Sequence, residues 1–525
     1  MYRDIEMINP VNTSPTNLIM RFTSQNNKGS EKKCLPGNPN YTRTSIFYVN
    51  DFHGKAQNME RAITALNAFN RKVSPDTDVL KLSSGDIMLG EDKKINTVAK
   101  YFLKFIGVTA SAVGNHECDM KSKDFAEMTQ DINYSLLACN MKTKKPNALA
   151  QKVKSSVIEE HNGNKYGIIG TMPSDILSRI KNDVQSDLQI EPVSIRETIK
   201  DIQTEADKLK QQGVNKIILL SHSGYGYDKK IARETDGIDV ILGGHSHNLL
   251  EGVNPGENLF TSKSGEPVII TQAGRDGKHF GVLNLEFDEN GIIKKVQNNV
   301  DSTRKFCRNA AAKQVFESIL GKPEVVGVIN TAPGPLKNDL IDPSPLANFA
   351  LDAIKERSGA DIAMVVAANI RGYLEKGRVD TMAISEISPF KNKIMKINYT
   401  EKEIVDALKA TAKSVNNRSN KPGIMHVSGL KYEISRNGQI YNLRFVDREG
   451  KEHPIDVNNP RTDKTYLVAI NDFYAAGNDD LPMLNKQLQA VEKFDYDLND
   501  CVEWFIRNHK EPVDIIDDGR LKIID

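Results

Sequence analysis

Five short stretches of the sequence carry the side chains that bind hard or borderline metal ions: Asp51-Phe52-His53, Ser83-Ser84-Gly85-Asp86, Gly114-Asn115-His116-Glu117, Ser221-His222 and Gly243-Gly244-His245-Ser246-His247. Each closes an apolar run, and together they hold five of the ten histidines of the chain. One such motif alone is as easily a turn or a packed core residue. Five in chain order, each behind a strand, describe a single site, because ligands of open α/β sheets gather beyond the carboxyl ends of the strands. The donors suffice for two divalent ions if one carboxylate is shared, and Asp86 is the natural bridge. Imidazole, carboxylate and amide oxygen without thiolate favour Zn, Mn, Co or Fe over Ca or an iron–sulfur cluster. Two such ions about 3.5 to 4 Å apart can clamp a phosphoryl group and lower the pKa of water, so the implied reaction is phosphoester hydrolysis.

The elements that must position these residues are readable from periodicity. From Ser45 onward the chain alternates strand and helix: IFYVN, a helix with Met59, Ile63, Leu66 and Phe69 on one face, DVLKL, a helix reaching about Phe105, then SAVGN. YSLLACN, YGIIG, an amphipathic stretch from Ile199 to Leu209, KIILLS, IDVILGG, PVIITQ and VLNLEFD continue the texture. One layered α/β domain is therefore expected over 44–300. Residues 301–324 are expected to form a helical linker, followed by TAPGPLKNDLIDPSP, rich in turn residues. A second, smaller α/β domain is expected over 325–525, with a helix at Leu346 to Glu356, the strand IAMVVA and a helix near Glu403 to Val415.

Composition narrows the function classes. At 525 residues the chain is long enough for several domains. Its 70 basic and 69 acidic residues give a formal net charge of +1, so no nucleic-acid polymer is expected as a partner. No run approaches the roughly 18 apolar residues of a membrane span. The five cysteines, Cys34, Cys118, Cys139, Cys307 and Cys501, are odd in number and never spaced CxxC, which argues against a disulfide framework. Residues 1–43 are polar and lack an apolar core of export-signal type, so they are expected to be disordered and the protein cytoplasmic.

NDFHG, SSGD, GNHECD, SHSG and GGHSH resemble the signature of the calcineurin-like metallophosphoesterases, in their 5'-nucleotidase branch. The resemblance implies a four-layer sandwich, two sheets flanked by helices, followed by the linker and a substrate-binding domain. It implies that Asp51, His53, Asp86 and His247 hold one divalent ion, and Asp86, Asn115, His222 and His245 the other. His116 and Asp119 fall on the family's catalytic pair, the imidazole stabilising charge or protonating the leaving oxygen and the carboxylate orienting it.

In the second domain, LANFALDAI, DIAMVVAANIRGYLEKGRVD, SPFKN and INDFYAAGND are similar to the family's substrate-binding domain. Arg371 matches its Ile-Arg motif, Phe390 and Phe473 its stacking aromatics, and Asp479 its ribose-contacting acid. The chain departs from the pattern at Val366-Ala367-Ala368-Asn369, where Asn-x-Gly-Gly is usual, and at Gly477-Asn478-Asp479-Asp480, where Gly-Gly-Asp-Gly is usual. Arginines expected upstream of the Asn348 helix are also missing, with Leu340 and Asp342 in that region. Fewer cations and one more carboxylate weaken the hold on an anionic nucleotide. The expected activity is removal of phosphate from a small-molecule nucleotide, as a 5'-nucleotidase does. The alternatives are a 2',3'-cyclic-nucleotide phosphodiesterase or nucleotide-sugar hydrolase with the same metals and, from another class, a binding protein that has lost turnover.

Overall fold

The structure is a computed structural model that describes residues 41–525 apart from 181, 335, 337, 418–421 and 510. Most of the expected polar lead-in, residues 1–40, lies outside the described residues. Thr42 and Arg43, expected to belong to that segment, are the first residues of a strand instead, since they pair in register with Phe287 and Glu286. The chain divides between Lys322 and Pro323 into two compact units.

The first unit contains thirteen strands among its described residues. They are β1 Thr42–Val49, β2 Asp78–Ser83, β3 Ala110–Ala112, β4 Ser135–Leu137, β5 Val153–Lys154, β6 Ser156–His161, β7 Asn164–Thr171, β8 Ile217–Ser221, β9 Val240–Gly243, β10 Leu259–Thr261, β11 Pro267–Thr271, β12 His279–Phe287 and β13 Ile293–Ser302. One sheet runs β13-β12-β1-β2-β3-β4-β5 and the other β10-β11-β9-β8-β7-β6. β1 to β5 are mutually parallel, as are β7, β8, β9 and β11, and the antiparallel strands lie at the margins.

The period-2 alternation of strand side chains explains the layering. Ile46 and Tyr48 of β1 join Leu82, Leu220, Leu242 and Ile269 in the core between the sheets. Phe47 points to the other face, 5.7 Å from the ring of Phe69 on α1 (Ala56–Asn70). On the outer face of the second sheet, Ile169, Leu219, Ile241 and Ile270 pack against Ile202, Ala206 and Leu209 of α3 (Ile195–Gln211) and Ile231 of α4 (Tyr225–Glu234), α2 being Lys93–Ile106. Full burial of each such side chain contributes about 1.5–3 kcal/mol. The result is the four-layer α/β sandwich.

The segment 301–324 is only partly helical. β13 continues to Ser302, which pairs with His279, a single 3-10 turn spans Thr303–Lys305, and α5 covers Ala310–Leu320 with Asn309 accepting from the Ala312 amide as its cap. Arg308 makes a bidentate ion pair with buried Glu60 of α1, tying this segment back to the first unit.

The second unit is smaller and also mixed α/β. Its five-stranded sheet has the order Met425–Ser428, Ile362–Val366, Thr465–Asn471, Ile394–Thr400, Glu492–Lys493. The buried helix α6 (Pro345–Ser358), capped by Ser344 and ended by left-handed Gly359, packs on this sheet, and two smaller sheets complete the unit. No helix among the described residues is long and apolar enough to cross a membrane.

Candidate metal centre

Parallel strands end on one side, so their C-terminal loops meet. Asp51 and His53 leave β1, Asp86 leaves β2, Asn115 and His116 follow β3, His222 follows β8, and His245 and His247 follow β9. Hydrogen bonds cross between the loops: Asp51 N donates to Gly85 O at 3.0 Å, His53 N to Asp86 O at 3.0 Å, and His222 N to Thr171 O at 2.9 Å. Asp51, His53, Asp86, His245 and His247 all have φ between 49° and 71°. Left-handed backbone at a residue with a side chain is uncommon, and its concentration on five of the predicted ligands makes these loops the candidate site.

Ligand atoms of Asp51, His53 and His247 lie within 4.8 Å of one another, as do those of Asp86, His222 and His245, and those of His53, Asp86 and His116. Asp86 Oδ2 is 3.6 Å from His53 Nε2 and 3.1 Å from His222 Nε2, which puts this carboxylate between the first two groups. Asn115 Oδ1 sits 2.9 Å from His245 Nδ1. Close approach depends on glycine: a Cβ on Gly114 would stand 2.1 Å from Asp86 Oδ1, and one on Gly244 2.7 Å from His222 Nδ1. His116 Nδ1 meets Asp119 Oδ2 at 2.6 Å, and the same oxygen accepts from Gly90 N at 2.8 Å.

The electrostatics suit cations. Burial works to raise Asp86, yet the His222 and His116 imidazoles hold it well below the carboxylate range. Burial would likewise lower His53 and His222, but the hydrogen bond to Asp276 lifts His53 to about 9 and the charge of Asp86 lifts His222 to about 10. His247 is pushed down to about 4, by burial first. The Nε2 atoms of His53 and His222 are buried and lack an aligned hydrogen bond. Orphaned nitrogens facing paired carboxylates are what divalent ions satisfy, so these residues fit metal.

Three residues that sequence reasoning missed hold this arrangement. Glu117 is buried and collects four backbone donors: Asp86 N and Gly114 N at 2.8 Å on Oε2, Ile87 N at 3.0 Å and Met88 N at 3.3 Å on Oε1. Asp276 accepts from His53 Nδ1 at 3.0 Å, and Asp175 lies 3.2 Å from His245 Nε2. Glu117 stood inside a recognised motif but was given no role of its own. Asp175 and Asp276 sit in loops without pattern.

In the second unit the Arg371 guanidinium lies 5.6 Å from the Phe390 ring centre. Phe390 borders a small pocket with Asn369, Ser388, Asn392 and Asn471. Tyr474 is buried close to Asn369, Asp479 and Arg371. Phe473 is exposed, its ring edge-on to Tyr474 at 5.3 Å. Arg371, Phe390 and Asp479 thus surround one region, whereas Phe390 and Phe473 make no ring-to-ring contact.

Residues 44–249 match the family described as Calcineurin-like phosphoesterase, and residues 325–486 the family described as 5'-nucleotidase, C-terminal domain. The trifunctional nucleotide phosphoesterase protein YfkN of Bacillus subtilis is 24% identical over 488 residues, which are 83% of this chain and 32% of that protein. The 5'-nucleotidase of Bos taurus is 30% identical over 280 residues, 47% of either chain. Among solved structures, the 5'-nucleotidase precursor from Thermus thermophilus superposes with a TM-score of 0.71 at 21% identity, covering 92% of this chain and 99% of that one.

Proposed function

The chain joins a calcineurin-like phosphoesterase domain to a 5'-nucleotidase C-terminal domain, and from that premise we propose that it is a two-metal phosphohydrolase that removes phosphate from nucleotides. The observation that carries the proposal is the shared carboxylate: Asp86 stands between the group of Asp51, His53 and His247 and the group of His222 and His245. The first group with Asp86 would hold one divalent ion, and Asp86, Asn115, His222 and His245 the second. Bound there, the ions would supply Lewis-acid polarisation of the phosphoryl group and activation of water.

The chain's own residues supply the rest. Asp119, anchored by the Gly90 amide, fixes His116 through Nδ1, so the opposite nitrogen, Nε2, is left to meet charge on the phosphoryl oxygens or to protonate the leaving oxygen. Asp276 and the Ser84 carbonyl orient His53 and His222 so that their Nε2 atoms face the carboxylates. Arg371, Phe390, Phe473 and Asp479 would bind the nucleoside, the aromatics by stacking and the charged groups at ribose or phosphate.

A second reading, a cyclic-nucleotide phosphodiesterase or nucleotide-sugar hydrolase, uses the same metal chemistry. Asp480 favours it: it adds a carboxylate beside Asp479, at a left-handed φ of 59°, and so disfavours the dianionic phosphate of a monophosphate more than a singly charged cyclic ester. The test is phosphate release from nucleoside monophosphates, 2',3'-cyclic nucleotides and nucleotide sugars, each assayed with Zn, Mn, Co and Fe. Fastest turnover of monophosphates supports the first reading. Turnover confined to cyclic or sugar substrates selects the second, and none with any metal refutes both.

A further inference from the structure

His53, His222 and His245 each turn one ring nitrogen to the carboxylate cluster and the other to an anchor. For His53 and His222 the anchored atom is Nδ1, held by Asp276 and by the Ser84 carbonyl. His245 is reversed. Its Nδ1 faces Asn115 Oδ1 at 2.9 Å, and its Nε2 points away to Asp175 Oδ1 at 3.2 Å.

Asp175 is built to hold that contact. It lies on the loop after β7, just before the 3-10 turn Ile176–Ser178, and buried Ile176 pins the turn. Its other oxygen, Oδ2, receives Arg179 Nε at 2.8 Å and Nη2 at 2.6 Å. Oδ1 is thereby left for the imidazole. An ionised carboxylate only accepts hydrogen bonds, so Asp175 selects the His245 tautomer with hydrogen on Nε2. The Nδ1 lone pair is then turned to the Asn115 side chain, 2.9 Å away, where it can donate to a cation.

Resting on the two-metal reading above, we propose that Asp175 is the positioning residue for the second ion: it fixes the tautomer and orientation of His245 so that Nδ1, unlike the Nε2 of the other two imidazoles, is the ligating atom. A surface ion pair with Arg179 alone would be worth at most about 1 kcal/mol and would leave the metal site indifferent to Asp175.

The test uses the full chain with Zn. Metal content is measured against a zinc-buffering chelator for wild type, Asp175→Ala, Asp175→Asn and Arg179→Ala, and the His245 ring nitrogens are followed by 15N NMR in metal-free protein, assigned with His245→Asn. Asp175→Ala is expected to keep one ion and to weaken the other about 10- to 100-fold, as loss of the hydrogen-bond partner of a ligating imidazole does. Asp175→Asn, whose amide oxygen still accepts, should fall between, and Arg179→Ala should keep both ions. The His245 signals of Asp175→Ala should shift away from the Nε2–H form while those of His53 and His222 stay in place. Wild-type affinity for both ions in Asp175→Ala, or an unchanged His245 tautomer, overturns the assignment. Fewer than two ions in wild type refutes the two-metal reading itself, and the metal-free NMR still judges Asp175 separately.

Discussion

Replacing Glu117 by Gln should open the loops that carry Asp86 and Asn115. Glu117 serves four backbone amides with two oxygens. Gln offers one acceptor oxygen, and its NH2 group would face two of the donors. If the amide oxygen keeps the 2.8 Å bonds from Asp86 and Gly114, the Ile87 and Met88 amides lose their partner. A buried donor left unsatisfied costs about 1–3 kcal/mol, giving roughly 2–6 kcal/mol for two. Burial and the charge of Asp86 both disfavour an ionised Glu117, raising its pKa, and relief of that repulsion offsets part of the loss. The net expectation is about 2–4 kcal/mol. At roughly 1.4 kcal/mol per factor of ten, the amides of 86–88 and 114 should exchange hydrogen about 30- to 1,000-fold faster. Hydrogen–deuterium exchange with mass spectrometry reads this directly, with β8 as the internal reference. Unchanged exchange at 86–88 and 114, or equal acceleration in β8, would refute the view that Glu117 organises these loops.

Asp86→Ala should lose metal and activity together with the fold largely retained; full metal occupancy in elemental analysis would exclude the bridging role. For His116→Asn, kcat should fall on the order of 10² to 10⁴ with metal content unchanged, and loss of an ion would mark His116 as a ligand instead. Phe390→Ala and Phe473→Ala should raise KM for nucleotides, each stacking contact being worth about 1–3 kcal/mol, while hydrolysis of a small aryl phosphate hardly changes; equal losses on both substrates would make these residues structural. His426 is fully buried without a hydrogen-bond partner on either nitrogen, and burial, then the charge of Arg520, pushes it down to about 4. The folded value is depressed, so its contribution is complete above the unfolded value near 6.5 and is lost as pH falls toward 4, about 3 kcal/mol in all. Urea unfolding of the second unit, followed through the single Trp504, should show this slope in wild type and not in His426→Leu; parallel slopes would contradict it.

The strand ends were legible because apolar runs give way to polar residues just before or at Asp51, Asp86, Asn115, His222 and His245, and parallel topology then brings those residues to one side. Asp175 and Asp276 were not legible, because the hydrogen bond of an anchoring carboxylate to an imidazole depends on how loops from distant strands approach, which no local spacing encodes. The extent of β13 was obscured for a related reason: Asp301 and Ser302 have little strand preference of their own and are held by pairing with β12. In the second unit, Phe390 borders the small pocket while Phe473 is exposed, and Tyr474, whose buried ring lies among Asn369, Asp479 and Arg371, stood beside Phe473 in the same motif without any signal of its own.

Five left-handed residues in the metal loops have an effect beyond placing donors. Each such conformation costs on the order of 1 kcal/mol or more, so together they store about 5 kcal/mol, comparable to the whole net stability of a typical domain. The sandwich behind them supplies that restraint through packed strands such as β1, β8 and β9, and the loops themselves are the segments with most to gain by letting go. On warming, these loops should therefore relax toward ordinary backbone angles before the sheets melt, a two-step loss that hydrogen exchange against temperature would read. A metal ion held by these donors would oppose the first event directly, and would then be a clasp on the backbone as much as a reagent.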